Sequence, residues 1–373
     1  MAKFSPKLQI EDSHDKTLFI VTLLLVIFGT LMVFSSSVIM ADIRFQSPYM
    51  FVSKHLIWVV IGTFALIFFS KFNYRSLQTM SKPLYIAVVV LLLLVLFIGT
   101  SKGGAKRWLR WGPISVQPSE IAKLVTVIVL ADYLDRKKSK LKKIKGIIPP
   151  LLIAGFLCAL VAVEPDLGTP IIIMATTLAL LYVAGAKFKY ILSVLLLAVP
   201  VVIAEILRKP YRLARVKAYL ASWWDISSTS YQLDQSILAL GSGGFIGKGL
   251  AQSQMKMLYL PEPHTDFIFP IVGEELGFIG AAVLIVLFGI FTWRGITISR
   301  HSTEFFGAIL ALGITFLIAL QAFLNMGVAS GLLPTKGLPL PFVSFGGTAL
   351  LINMAEVGIL LSISKNMAGR EKK

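Results

Sequence analysis

Apolar runs of about twenty residues recur along this chain, the length an α-helix needs to cross the hydrocarbon core of a bilayer. They predict ten membrane spans at 18–40, 53–70, 83–100, 117–134, 147–163, 167–185, 188–207, 267–292, 303–326 and 344–364. The first run is too long for a signal-peptide core and has no small-x-small cleavage site, so it reads as a retained span. Short polar stretches join the spans, with one exception. Residues 208–266 form a long segment too polar to cross, which holds Trp223, Trp224 and a glycine cluster. The expected fold is all-α, one polytopic transmembrane domain over residues 1–373. No internal repeat of the transporter kind is visible.

Composition adds the class of surface. Hydrophobic residues make up 56% and charged residues 15%, against roughly 25% charged in an ordinary soluble domain, and the mean hydropathy is +0.80. A soluble fold cannot cover that much apolar side chain with a wettable surface. The single cysteine, Cys158, sits inside an apolar run and excludes an intrachain disulfide.

The net charge of +17 would suit a nucleic-acid partner, but the cations are sorted by loop, and no nucleic-acid partner is expected. The tightest cluster, RKKSKLKKIK at 136–145, marks a cytoplasmic loop by the positive-inside rule. An even number of spans then places both termini inside. Segments 101–116, 208–266 and 328–343 fall outside. The first of these is short and carries Lys102, Lys106, Arg107 and Arg110, against the positive-inside preference. Such cations either bind an anionic ligand or meet lipid phosphates at the interface, and the pattern alone does not separate the two.

Carboxylates are the informative groups in a membrane chain, because burying one without a partner is costly. In QPSEIAK, 117–123, Pro118 suits a first helical turn, and Glu120 and Lys123 share a helix face and can pair. Glu120 could equally complement the helix dipole. In EPDLGTP, 164–170, Glu164 and Asp166 flank a proline in a turn that is either simply exposed or able to hold a cation. In LPEPHTDFIF, 260–269, His264, Thr265 and Asp266 precede an apolar span. Thr265 or Asp266 reads as a helix N-cap, or Asp266 as a carboxylate at the membrane surface able to take a proton from a hydroxyl. Glu274 and Glu275 lie deeper and read as holding helices together. GSGGFIGKG, 241–249, fails as a phosphate loop: Ser242 stands at the first required glycine, and Gly249 where Ser or Thr should meet magnesium. It reads as a flexible loop or a re-entrant turn.

Four segments together carry a resemblance: GAKRWLRWGPISVQPSEIAKL at 104–124, EPDLGT at 164–169, YLPEPHTDFIFPIVGEELGFIG at 259–280 and GLLPTKGLPLPFVSFGGTAL at 331–350. The chain resembles the SEDS family (shape, elongation, division and sporulation proteins), whose similar members have ten spans and both termini inside. PTKG at 334–337, with Lys336, and Tyr259 look like the division branch rather than the elongation branch. SFGGTAL at 344–350 departs from the division pattern, which more often has a Tyr and two serines there.

The resemblance implies a peptidoglycan glycosyltransferase that polymerises lipid II, a disaccharide-pentapeptide on undecaprenyl pyrophosphate, in the bacterial cytoplasmic membrane at the division septum. It implies Asp266 as the catalytic carboxylate, and Arg107, Trp108, Glu120, Lys123 and Asp166 as functionally sensitive positions. Asp266 would deprotonate the acceptor 4-hydroxyl for a single inverting displacement. Arg107, Lys336 and Lys248 are candidate cations for the leaving pyrophosphate, with Trp108 and His264 beside the substrate. Glu120, Lys123 and Asp166 would organise the cationic loop from behind. A divalent cation, Mg or Mn, is a candidate to share the leaving-group role. The expected partners are lipid II, a class B penicillin-binding protein and other division proteins. The elongation-branch polymerase, a lipid II flippase and a non-catalytic division scaffold are the competing readings. The flippase needs a cation-lined cavity reachable from both faces, whereas the polar segments gather on one.

Overall fold

The structure is a computed structural model that describes residues 14–102, 105–112, 114–164, 166–208, 210–221, 231–256, 263–334 and 337–367. Apolar runs become long helices. α1 (Lys16–Phe45), α2 (Met50–Lys71), the single turn α3 (Arg75–Thr79) and α4 (Ser81–Ile98) lead to a small sheet. Beyond it come α5 (Pro118–Lys137), α6 (Ile144–Val163), α7 (Gly168–Val183) and α8 (Phe188–Leu207). The long polar segment supplies α9 (Pro210–Ala221) and α10 (Tyr231–Ser242). The chain closes with α11 (Ile268–His301), α12 (Phe305–Ala329) and α13 (Gly347–Ser364).

Eight of these helices are long and apolar enough to cross a membrane: α1, α2, α4, α6, α8, α11, α12 and α13. The other two of about ten spans differ from them for separate reasons. α7 is apolar but has only 16 residues. α5 carries Glu120, Lys123 and Asp132. It tolerates these charges because it is enclosed by its neighbours, and all three side chains are buried. α8 is the converse case, with 6% of its most apolar window buried and its sides left to lipid.

Packing rather than water exclusion holds such a bundle together. Leu25, Leu130, Leu180, Phe291, Ile314 and Leu360 belong to one continuous core drawn from α1, α5, α7, α11, α12 and α13. α2 and α13 approach closely where Gly62 faces Met354 and Gly358 faces the backbone of Leu66. At one end of the bundle, Asp15 accepts from Leu18 N at 2.9 Å to cap α1 and pairs with Arg294 of α11.

Two features depart from a plain helix bundle. Residues 100–116, expected as a loop, form an antiparallel sheet β1 (Thr100–Lys102), β2 (Ala105–Trp111), β3 (Ile114–Val116) in that order. Thr100 pairs with Trp108 but Ser101 with Lys106, which inserts one extra residue, Arg107, as a bulge in β2. α11 is also longer than the expected 267–292 and is broken at Gly277, whose φ of 66° and ψ of −162° lie outside the helical region.

Candidate active site

Asp266 stands two residues before the first residue of its helix, Ile268. The N-cap of α11 is Phe267, which makes no side-chain cap bond, so the Asp266 carboxylate is not the cap of this helix. Its backbone is fixed in an unusual way. Three successive carbonyls, those of His264, Thr265 and Asp266, accept from Phe345 N (2.8 Å), Ser344 Oγ (2.5 Å) and Asn325 Nδ2 (2.9 Å). The first two donors lie on a strap, 337–346, that leads into α13. Within the strap, Leu340 N donates to Ser344 Oγ at 2.9 Å, which orients that hydroxyl. Gly337 approaches the carboxylate so closely that a Cβ there would lie 2.9 Å from Asp266 Oδ2.

The strap is tied in turn to the buried charges of α5. Asn325 Nδ2 also donates to Leu338 O (2.6 Å), and Gln321 Nε2, one turn earlier on α12, donates to Pro339 O (2.8 Å). Gln321 Oε1 accepts from Lys123 Nζ (2.5 Å), which lies 2.9 Å from Glu120 Oε2. Glu356 of α13 is buried nearby and interacts electrostatically with both charges. Glu120 and Lys123 thus pair as their spacing predicts. Through Gln321 they support the strap beside Asp266. Thr348 accepts from Gln117 N (3.1 Å) and donates to Ser115 O (3.2 Å), closing α13 onto β3 and α5. The departure from the division-branch pattern at 344–350 therefore keeps a hydroxyl where it is used. Phe345, in place of the usual Tyr, packs edge-on to Phe51 with ring centroids 5.4 Å apart.

The 164–169 turn reaches the same strap. Gly168 sits against Leu338, where a Cβ would come within 2.7 Å of Cδ2. Asp166, one residue before the N-cap of α7, accepts from Gly168 N (2.8 Å) and Thr169 Oγ1 (2.9 Å). Glu164 O accepts from Arg107 Nε at 3.0 Å. The bulge thus delivers Arg107 to the turn. The turn itself is not exposed: both of its carboxylates are buried, Glu164 at 1%. Burial pushes the Glu164 carboxyl up to about 8; Asp166 adds to the rise and Arg107 opposes it.

Other candidates are placed differently. His264 is buried against Phe51 and Phe345, its ring centroid 4.4 Å from that of Phe51, so it packs the base of the turn. Lys248 is a correction. Its Nζ lies 2.8 Å from Glu274 Oε1, a fully buried carboxylate, and its charge is spent there rather than at a leaving group. Trp108 is half-buried in β2, its carbonyl accepting from Thr100 Oγ1 at 3.1 Å. Lys336 and Tyr259 lie outside the described residues, as do Trp223 and Trp224. Among the described residues no three His, Cys, Asp or Glu side chains gather as metal ligands.

The chain as a whole is similar to known proteins. A family model for cell cycle proteins, FtsW/RodA/SpoVE, matches residues 15–369. The chain belongs to this family. It is 38% identical to a probable peptidoglycan glycosyltransferase FtsW of Geobacter metallireducens, covering 96% of both chains. It is 40% identical to the FtsW so described in Coxiella burnetii, over 96% of this chain and 98% of that one. Stage V sporulation protein E of Bacillus subtilis is 38% identical over 95% of this chain and 98% of its own. Among solved structures, the fold matches a chain of a peptidoglycan synthase complex that coordinates polymerization and crosslinking. That match has a TM-score of 0.78 at 24% identity, covering 94% and 97% of the two chains. It also matches Thermus thermophilus RodA, with a TM-score of 0.71 at 24% identity over 95% and 98%.

Against this FtsW/RodA/SpoVE fold, two residues of the site went unnoticed in the sequence. Gln321 and Asn325 are four apart on α12, so they share one helix face. Two amides at that spacing in the otherwise apolar run FLIALQAFLNMGVA are a signal, since polar side chains in a span bond to something.

Proposed function

We propose that this chain is a peptidoglycan glycosyltransferase. It polymerises lipid II into glycan strands, with the end that carries Asp266 at the outer face of the bacterial cytoplasmic membrane. The observation that carries the reading is a convergence. The Asp266 turn, the 337–346 strap, the 164–169 turn and the bulge at Arg107 come from separate parts of the chain and meet at one end of the bundle. The basic run at 136–145 supports placing the opposite end, and both termini, in the cytoplasm.

In this reading Asp266 takes the proton of the acceptor 4-hydroxyl as that oxygen attacks the donor's anomeric carbon. The C–O bond to pyrophosphate breaks and the configuration inverts. Pyrophosphate leaves as a stable anion, so one carboxylate suffices where a glycosidase needs two. Arg107, at the bulge, and Lys336 are the cations proposed to meet the departing charge. Asn325, Gln321, Lys123 and Glu120 hold the strap that sets the carboxylate. No step is routed through a metal.

Similarity to a chain of a synthase complex supports a crosslinking partner, proposed as a class B penicillin-binding protein. The FtsW relatives support a role in division. The test is polymerisation of lipid II by the purified chain with its cognate partner in detergent, where no translocation is possible. Asp266→Asn is expected to abolish polymer while leaving folding intact. Polymer formed by Asp266→Asn at the wild-type rate, or a product with retained configuration, removes this mechanism.

A further inference from the structure

The glycine-rich segment lies against the break in α11. Lys248 N and Gly249 N donate to the carbonyls of Glu274 and Glu275, both at 3.0 Å. Beyond the break, Phe278 N and Ile279 N donate to the carbonyls of Gly244 and Phe245, at 3.0 and 3.3 Å. The groups that a continuous helix would pair with each other are satisfied by the loop instead. A Cβ at Gly243 would strike Gly273 O, and one at Gly247 would strike Glu275 O, so no larger residue allows this approach.

Backbone bonds alone would close the break, yet four charges sit beside it, and Glu274, Glu275 and Lys256 are buried. Glu274 and Glu275 are both 0% exposed; Lys248 Nζ lies 2.8 Å from the first and Lys256 Nζ 2.9 Å from the second. Ser253 Oγ donates to Glu274, and Ser35 Oγ of α1 donates to Glu275 Oε1 at 2.7 Å. Burying ion pairs gives little net stability but can fix one orientation. What they orient is short. The half-helix 268–276 is about 13 Å long, with Asp266 at its far end. A tilt of about 5° at the break would carry that carboxylate about 1 Å, a displacement able to cost about a hundredfold in rate.

We infer that Glu274 and Glu275, with Lys248 and Lys256, are positioning residues for glycosyl transfer. They set the angle of the half-helix that presents Asp266. The inference rests on Asp266 as the base. It gives the long extracytoplasmic segment a mechanical link to the site, because the two lysines belong to that segment.

The test compares Glu275→Gln, Lys256→Met and the exchanged pair Glu274→Lys with Lys248→Glu, in the full chain with its partner on lipid II. Expected for Glu275→Gln and Lys256→Met is a kcat lower by about tenfold to a hundredfold with KM within about twofold. The stranded partner should lower the melting temperature, but the loss of kcat should not track that fall, and amide exchange in 268–276 should be faster. The exchanged pair should recover kcat relative to Glu274→Lys alone, which keeps the inference testable if one variant folds poorly. Wild-type kcat in both Glu275→Gln and Lys256→Met overturns it. So does a loss that tracks melting temperature with no recovery in the exchanged pair. Asp266→Asn run beside them separates the two readings. If it turns over normally, the base assignment falls and takes this inference with it. If it is inactive while the pair variants turn over normally, only this inference falls.

Discussion

Gly337 and Asp266 are in contact across two separate segments: a Cβ at Gly337 would lie 2.9 Å from Asp266 Oδ2. The glycine is not there for backbone conformation, since its φ is not in the left-handed region. It is there for space. Gly337→Ala is therefore expected to displace the carboxylate without unfolding the protein. The measurable result is a kcat reduced by about tenfold or more, with the detergent melting temperature nearly unchanged.

Asn325 holds Asp266 O and Leu338 O with one amide nitrogen. Asn325→Leu would leave two carbonyls without this donor, Leu338 O in a buried position and Asp266 O in a partly buried one. The expected cost is about 2–4 kcal/mol of stability, together with loss of turnover as strap and turn separate. Thermal melting and single-turnover polymerisation of the same preparation check both effects. A stable but inactive variant assigns Asn325 to geometry alone.

How far the sequence disclosed this arrangement depended on the kind of signal. Span positions were legible because each needs about twenty apolar residues in one block. α5 was legible despite its charges, since Glu120 and Lys123 announce their own pairing by spacing. The sheet at 100–116 was not, because its strands are three to seven residues long and its cations mask any alternation. Asp266 stood out by its place before a span. Its support did not, since the bonds from Asn325, Ser344 and Phe345 join positions 59 to 81 residues apart, and no local pattern encodes them. Lys248 misled for the same reason: its partner Glu274 is 26 residues away.

Lys123 is the only cation among the described residues of α5's buried stretch, and it serves Glu120 directly. Lys123→Met would strand a carboxylate that is 4% exposed, at an expected cost of about 3–5 kcal/mol. Glu120→Gln in the same chain should recover most of that loss, because the stranded charge is then gone. A double-mutant cycle on melting temperature reads the coupling. Additive losses would mean that the pair is not a unit.

Glu164 makes the clearest pH prediction. Both of its carboxylate oxygens are buried without a hydrogen-bond partner among the described residues. Its carboxyl is pushed from 4.5 up to about 8, by burial first and by Asp166 second, against the pull of Arg107. A raised carboxyl means that the folded chain holds a proton the unfolded chain has already released. The stability this proton brings is complete below pH 4.5 and is lost as pH rises through about 8. Melting temperature should therefore fall across that interval. Glu164→Gln, which mimics the protonated group, should flatten the fall and be the more stable chain at about pH 9. The two curves should meet at about pH 5. Identical pH dependence in both chains would show that Glu164 is already ionised at neutral pH. Its charge would then be balanced by Arg107, which lies at the same turn.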